Sequence, residues 1–150
     1  MGIEKDIHQA KFVNSGQKAM INLLYTYGWI IERIKSYLAK EDITHQQYNI
    51  LRILRGSHPK PLSTLQIRER MLDKMSDTSR IVDRLVAKQL VKKATCPNDK
   101  RLVDVTITEK GQKLLKKLES EADPVAEIMG KLTEKEAENL SLLLDKLRNN

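Results

Sequence analysis

Around Leu90 the hydrophobic period of this 150-residue chain changes, and no other feature constrains the fold as much. Before that point, three short segments carry helix-start signatures. Thr44 with Gln47 forms a capping box, in which cap hydroxyl and N3 side chain satisfy each other's backbone amides. It opens a helix to about Arg55, ended by Gly56, Ser57, His58 and Pro59. Ser63 with Gln66 opens a second, over residues 64–72, and four residues later Ser76 is placed to cap a third, over 77–88. Beyond Leu90 the apolar residues alternate. Residues 90–95 and 102–107 read as two short strands, with Val103, Val105 and Ile107 on one face. The turn between them, Cys96-Pro97-Asn98-Asp99-Lys100-Arg101, is polar and ends in two adjacent cations. Thr108 then caps a helix containing Leu114, Leu115 and Leu118.

Two helices joined by a very short turn, followed by a hairpin with a charged tip, make the winged helix-turn-helix pattern. Its second helix projects into a DNA major groove wide enough to admit it. Its hairpin reaches along the backbone toward the minor groove, where negative potential favours a guanidinium. The flanks differ in character. Residues 7–40 read as one long helix, with Met20, Leu23, Leu24, Tyr27, Ile30, Ile31, Ile34 and Leu38 at three- and four-residue steps. Near the C-terminus Val125, Ile128, Met129 and Leu132 form a second stripe, continued by Leu140, Leu143, Leu144 and Leu147. Pro124 breaks or starts a helix there, and Thr133 with Glu136 is another capping box. Such stripes need a partner surface, and intertwined ends of two copies supply one. The expected fold is mainly α with a small β-hairpin wing, a winged helix-turn-helix on a helical dimerisation frame. The expected division is 1–43 N-terminal dimerisation helix, 44–110 DNA-binding domain and 111–150 C-terminal dimerisation helices.

Charge supports the same division. The chain carries net +7, and residues 44–110 hold all of it, with 14 Lys or Arg against 7 Asp or Glu. The remainder holds 13 of each. A basic block inside a neutral frame is the footprint of phosphate contact. Aromatics are only 4% of the chain, a balance that suits helices more than a β-sandwich. No apolar run approaches the roughly 20 residues of a membrane span, and no signal-peptide core follows the charged first residues. A single cysteine, Cys96, cannot form an internal disulfide, so a cytoplasmic setting fits. His8, His45 and His58 are scattered without metal-ligand spacing. No phosphate-cradling Gly loop or nucleophile–base pair stands out, so neither an enzyme nor a cofactor is expected.

Residues 44–118 resemble the MarR family of transcriptional regulators. The resemblance rests on Ile43-Thr44-His45-Gln46-Gln47, on Ser79-Arg80-Ile81-Val82-Asp83-Arg84-Leu85 and Leu90-Val91, on Pro97-Asn98-Asp99-Lys100-Arg101, and on Val105-Thr106-Ile107-Thr108-Glu109-Lys110-Gly111 in this order. It implies a dimeric, ligand-responsive repressor on a pseudo-palindromic operator in double-stranded DNA. It also implies a wing arginine, matched by Arg101, that contacts DNA or braces the wing through an acidic partner. Gln89 departs from the pattern, standing where the family usually has the Gly that closes the recognition helix. Either that turn is strained or the helix ends without a left-handed residue.

Read as residues, Ile81, Val82, Leu85 and Val86 make the buried stripe of the third helix. Ser76, Asp77, Ser79, Arg80 and Arg84 then face DNA, with Lys92, Lys93, Lys100 and Arg101 from the hairpin. Asp77 repels phosphate, so it accepts from a cytosine amino group or serves the helix N-terminus as an anion. Tyr25, Trp29, Tyr48 and Arg52 are candidates to line a cleft for a small aromatic or anionic effector. Two rival readings are a winged helix that binds an acidic protein, and a redox-sensing regulator using Cys96, which lies near Lys92 and Lys93.

Overall fold

The computed structural model describes residues 2–149. Along the chain run α1 (Ile3–Asp6), α2 (Ser15–Ala39), α3 (His45–Ser57), β1 (Leu62–Ser63), α4 (Thr64–Arg70), α5 (Thr78–Ala87), β2 (Val91–Thr95), β3 (Val103–Ile107), α6 (Glu109–Glu121), α7 (Pro124–Met129) and α8 (Glu134–Arg148). The architecture is mainly helical with a small antiparallel sheet, as the sequence predicts. Local chemistry sets most of the boundaries. Thr44, Ser63 and Thr133 each form both bonds of a capping box, at α3, α4 and α8. The Thr108 hydroxyl accepts the Gly111 amide at 3.1 Å to start α6. Pro124 opens α7, where its missing amide proton costs no helical bond.

The continuous helix expected over residues 7–40 starts later. The chain leaves α1 and turns at His8, whose φ of 54° is left-handed. Helix α2 begins only at Ser15, because Asn14 caps it by accepting the Gln17 amide at 2.8 Å. The Gln17 side chain accepts in turn from the Val13 amide at 2.7 Å. The apolar stripe starts at Met20, so the period carried no information about the segment before it. Helix α4 also ends earlier than expected, at Arg70.

The hairpin of β2 and β3 runs in register from Val91 opposite Ile107 to Thr95 opposite Val103. A third strand was not foreseen: β1 pairs antiparallel with β3, Leu62 opposite Val105, giving the order β1-β3-β2. Two residues are too few to show alternation. The pairing still matters, because it ties the start of α4 to the wing.

The core gathers Leu38, Ile50, Leu51, Leu54, Leu62, Ile67, Met71, Val82, Leu85, Val91, Val105, Leu115 and Leu118. Fully burying one such side chain is worth about 1.5–3 kcal/mol. Helix α6 is fastened to this core at both ends. At its start a Cβ on Gly111 would meet the Leu90 carbonyl oxygen at 2.4 Å, so only glycine allows this approach to the root of the wing. At its end the Tyr37 hydroxyl donates to the Leu118 carbonyl, and Arg55 pairs with Glu119 at 2.6 Å. The flanks behave differently. Helix α2 buries only Leu38 among 25 residues, and α7 and α8 bury none. Among the described residues, no helix is long and apolar enough to cross a membrane.

Candidate nucleic-acid interface

Helix α5 is held against the core by Thr78, Val82 and Leu85, with Ile81 half-buried. Val86, expected in this buried stripe, is 36% exposed instead. It is one residue, about 100° of helix, past Leu85, at the edge of the contact. The opposite face carries Ser79, Arg80, Asp83 and Arg84, all exposed. The cap is Asp77 rather than Ser76: its carboxylate accepts the Arg80 amide at 3.2 Å. Asp77 thus serves as the helix N-terminal anion, the second of the two roles open to it. The Ser76 hydroxyl turns inward, buried and without a hydrogen-bond partner among the described residues, as is that of Thr78. Ser76 therefore offers no hydroxyl to a ligand in this conformation.

At its other end α5 closes through Gln89, which has a φ of 62°. The Gln89 amide donates to Val86 at 2.9 Å and the Leu90 amide to Leu85 at 3.0 Å. These two bonds form a Schellman motif with glutamine where glycine is usual. Of the two outcomes open at Gln89, the structure has the strained turn. The turn is pinned from outside, since the Thr108 hydroxyl donates to the Gln89 carbonyl at 2.8 Å.

The wing continues from this turn. Lys92 and Lys93 are both exposed, because β2 lies at the sheet edge and buries only Val91. Lys93 reaches back to α5 and pairs with Asp83 at 2.6 Å. At the tip Lys100 is exposed, and Arg101 makes a bidentate contact with Asp99, Nε to Oδ1 at 3.1 Å and Nη2 to Oδ2 at 3.0 Å. The Asp99 carboxylate also accepts the Arg101 amide at 3.0 Å. This contact holds the Asp99 carboxyl below its ordinary range and pushes the Arg101 guanidinium above its own. Two of five guanidinium N–H donors are committed, and three remain for a ligand. Cys96 is half-buried at the base of the tip, its amide donating to the Leu102 carbonyl at 3.0 Å.

A cavity of about 620 Å³ lies where α2, α3, α7 and the segment after α4 meet. Tyr27, Ile30, Ile34, His45, Tyr48, Arg52, Met71 and Ile128 are among its lining residues. Arg52 sits over the Tyr48 ring, 5.8 Å from its centroid. Burial pulls the His45 imidazole below its ordinary pKa, Lys35 lowers it further, and Asp73 opposes both. Of the four candidates for this cleft, Tyr48 and Arg52 line it while Tyr25 and Trp29 do not. Two residues from Tyr27 is about 200° around a helix, so both rings leave the cleft face. Trp29 stacks under Arg33 instead, at 3.6 Å. Tyr27, Ile30 and Ile34 were visible in the sequence as one stripe, and following that stripe would have found the wall.

Residues 43–103 match the MarR family. The chain is 27% identical over 131 residues to the HTH-type transcriptional regulator MhqR of Bacillus subtilis, covering 87% of this chain and 89% of that protein. It is 32% identical to the MarR transcription factor from Planctomyces limnophilus, with a TM-score of 0.66 over 91% of this chain and 97% of that one. This chain belongs to the MarR family. The fold is also that of an Escherichia coli MarR cysteine-to-serine mutant complexed with operator DNA, at 23% identity, with a TM-score of 0.76 over 99% of this chain and 100% of that one. This MarR-family protein is thus a transcriptional regulator with a winged-helix fold, in which the β2–β3 hairpin is the wing.

Proposed function

We propose that this MarR-family regulator binds a pseudo-palindromic operator as a homodimer and represses until a small ligand enters the α2–α3–α7 cleft. The observation that carries the reading is the division of the α5 surface. Val82 and Leu85 fix the helix in the core, while Ser79, Arg80 and Arg84 stand together on its free face. An arginine and a small hydroxyl on a rigid helix suit base edges and phosphates. The wing adds Lys92, Lys100 and Arg101 along the backbone, and Lys93 to the extent that Asp83 releases it.

Residues 44–110 then form the DNA-binding domain, and 1–43 with 111–150 the frame that pairs two copies. The apolar residues left exposed on α2 and α8 support that pairing. Helix α6 serves both parts, since Leu115 and Leu118 lie in the core of the winged helix. The cleft is within the usual 300–1,000 Å³ of small-molecule sites. Its aromatic and aliphatic walls with one guanidinium suit a planar acid. It touches α2 of the frame and the segment leading into α5, so a ligand that favours one spacing of the two recognition helices shifts the dimer toward it.

Selection of bound duplexes from a random library tests the reading. The expected product is an inverted repeat with half-sites about one helical turn apart, bound by two chains. Recovery of no enriched sequence would leave the winged helix as a module for an acidic protein partner.

A further inference from the structure

We propose that Met75 reads sequence directly, its thioether packing on the C5-methyl of a thymine in each half-site. The inference rests on the reading of α5 as the DNA-reading helix. Met75 is 93% exposed, more than any other large apolar side chain among the described residues. It lies two residues before the Asp77 cap, so the two Cα atoms are at most about 7 Å apart. That places it at the end of α5 that carries Ser79 and Arg80.

The exposure is built into the turn. Asp73 accepts the Met75 amide on its carboxylate at 3.0 Å and the Ser76 amide on its carbonyl at 3.3 Å. The preceding residue is anchored too, the Leu72 amide donating to Asn49 Oδ1 at 3.0 Å. With the Ser76 hydroxyl buried, the turn presents Met75 outward. Leu72, nearly as exposed, borders the cleft instead.

The surroundings select the occupant. Lys74 precedes Met75 in the chain and Arg80 stands in the first turn of α5, both exposed. Asp73 and Asp77 are taken up by backbone amides of the turn and the helix start, so a polyanion lying on this end of α5 meets Met75 as its apolar point of contact. The major groove of duplex DNA has both properties, since the thymine methyl is its one apolar feature. A polarisable, unbranched thioether adapts to such a point without needing a fixed rotamer.

The test pairs a chemical change in the DNA with one in the protein. Each thymine of the selected operator is replaced singly by deoxyuridine, which removes only the methyl group. The full-length wild-type protein is expected to lose about fourfold in affinity for each contacted methyl, the worth of one buried carbon. Met75→Ala should bind the thymine and deoxyuridine duplexes equally, and Met75→Leu should keep the preference. The proposal is overturned if no thymine matters to the wild type, or if Met75→Ala retains the wild-type ratio. In that second case, loss of operator preference in Arg80→Ala would show that α5 still reads DNA without Met75. A chain that prefers no sequence overturns both readings. A Met75→Ala protein that loses binding to an acidic protein but not to DNA assigns the side chain to a protein partner and sinks the proposal.

Discussion

Gln89 and Arg101 show how single residues set the geometry of the DNA-binding surface. A non-glycine residue in the left-handed region costs roughly 1–2 kcal/mol, and Gln89 bears that cost at the joint between recognition helix and wing. Gln89→Gly is therefore expected to raise stability by about 1 kcal/mol, since glycine's extra unfolded-state freedom offsets part of the relief. A thermal midpoint up by about 2–4 °C would confirm it, and an unchanged or lower midpoint would contradict it. The departure at this position was plain in the sequence. Its outcome was not, because the bond that pins the turn from outside comes from Thr108, 19 residues away. The arginines divide reading from positioning. Arg80 is expected to contact a base edge, so Arg80→Ala should narrow the gap between operator and random DNA by about 1–3 kcal/mol. Arg101 is expected to meet phosphate or minor groove, so Arg101→Ala should weaken both duplexes evenly and reduce the salt slope by roughly one unit. Titrations of operator and scrambled duplex across a salt series measure both effects. Circular dichroism is needed alongside, because Arg101 also braces the wing through Asp99. An intact operator-to-random ratio in Arg80→Ala would move the reading role to Ser79.

At the scale of elements, the parts legible in advance were those set by neighbours in sequence. Capping boxes at Thr44, Ser63 and Thr133 involve residues three apart, and all three form. Contacts between elements were harder to foresee. Strand β1 exists only because β3 lies beside it, and the cleft wall depends on which face of α2 meets α3 and α7. Tyr25 and Trp29 have the right chemistry and the wrong face. His45 lies at the start of α3 and on the cleft wall, and it gives the element a pH dependence whose sign follows from its surroundings. Burial disfavours the imidazolium, so the folded-state pKa lies below that of the unfolded chain. As pH falls, the unfolded chain takes up the proton first. The contribution of His45 is therefore complete above about pH 6.5 and is lost as pH falls through the folded-state pKa. Urea midpoints measured on either side of pH 6.5 should decline toward acid, and His45→Gln should make that decline shallower. An equally steep decline in the variant would show that other groups carry it.

The molecule as a whole leaves its ends uncovered. Leu24 is 64% exposed and Tyr27 60% on α2, while Leu142 and Leu143 are each 65% and Leu147 72% exposed on α8. Isolated apolar residues on a surface are ordinary, but rows of them along two terminal helices are what the proposed pairing of two copies would cover. Because α7 and α8 bury no residue within their own chain, removing residues 124–150 leaves the core contacts of the winged helix in place. The truncated protein is expected to run as a monomer or aggregate and to lose tight operator binding. Losing one of two linked half-site contacts costs the effective concentration that the second enjoys, about 10²–10⁴ in affinity. Aggregation alone would be ambiguous, so a second variant separates assembly from folding. Leu143→Asp with Leu147→Asp keeps α8 in the chain but places two charges on its apolar row. That variant is expected to keep a native circular dichroism spectrum, sediment as a monomer and bind an isolated half-site as weakly as any single winged helix does. If either protein stays a soluble dimer with full operator affinity, the two copies do not meet through these C-terminal helices, and the pairing surface must be sought on α2 alone.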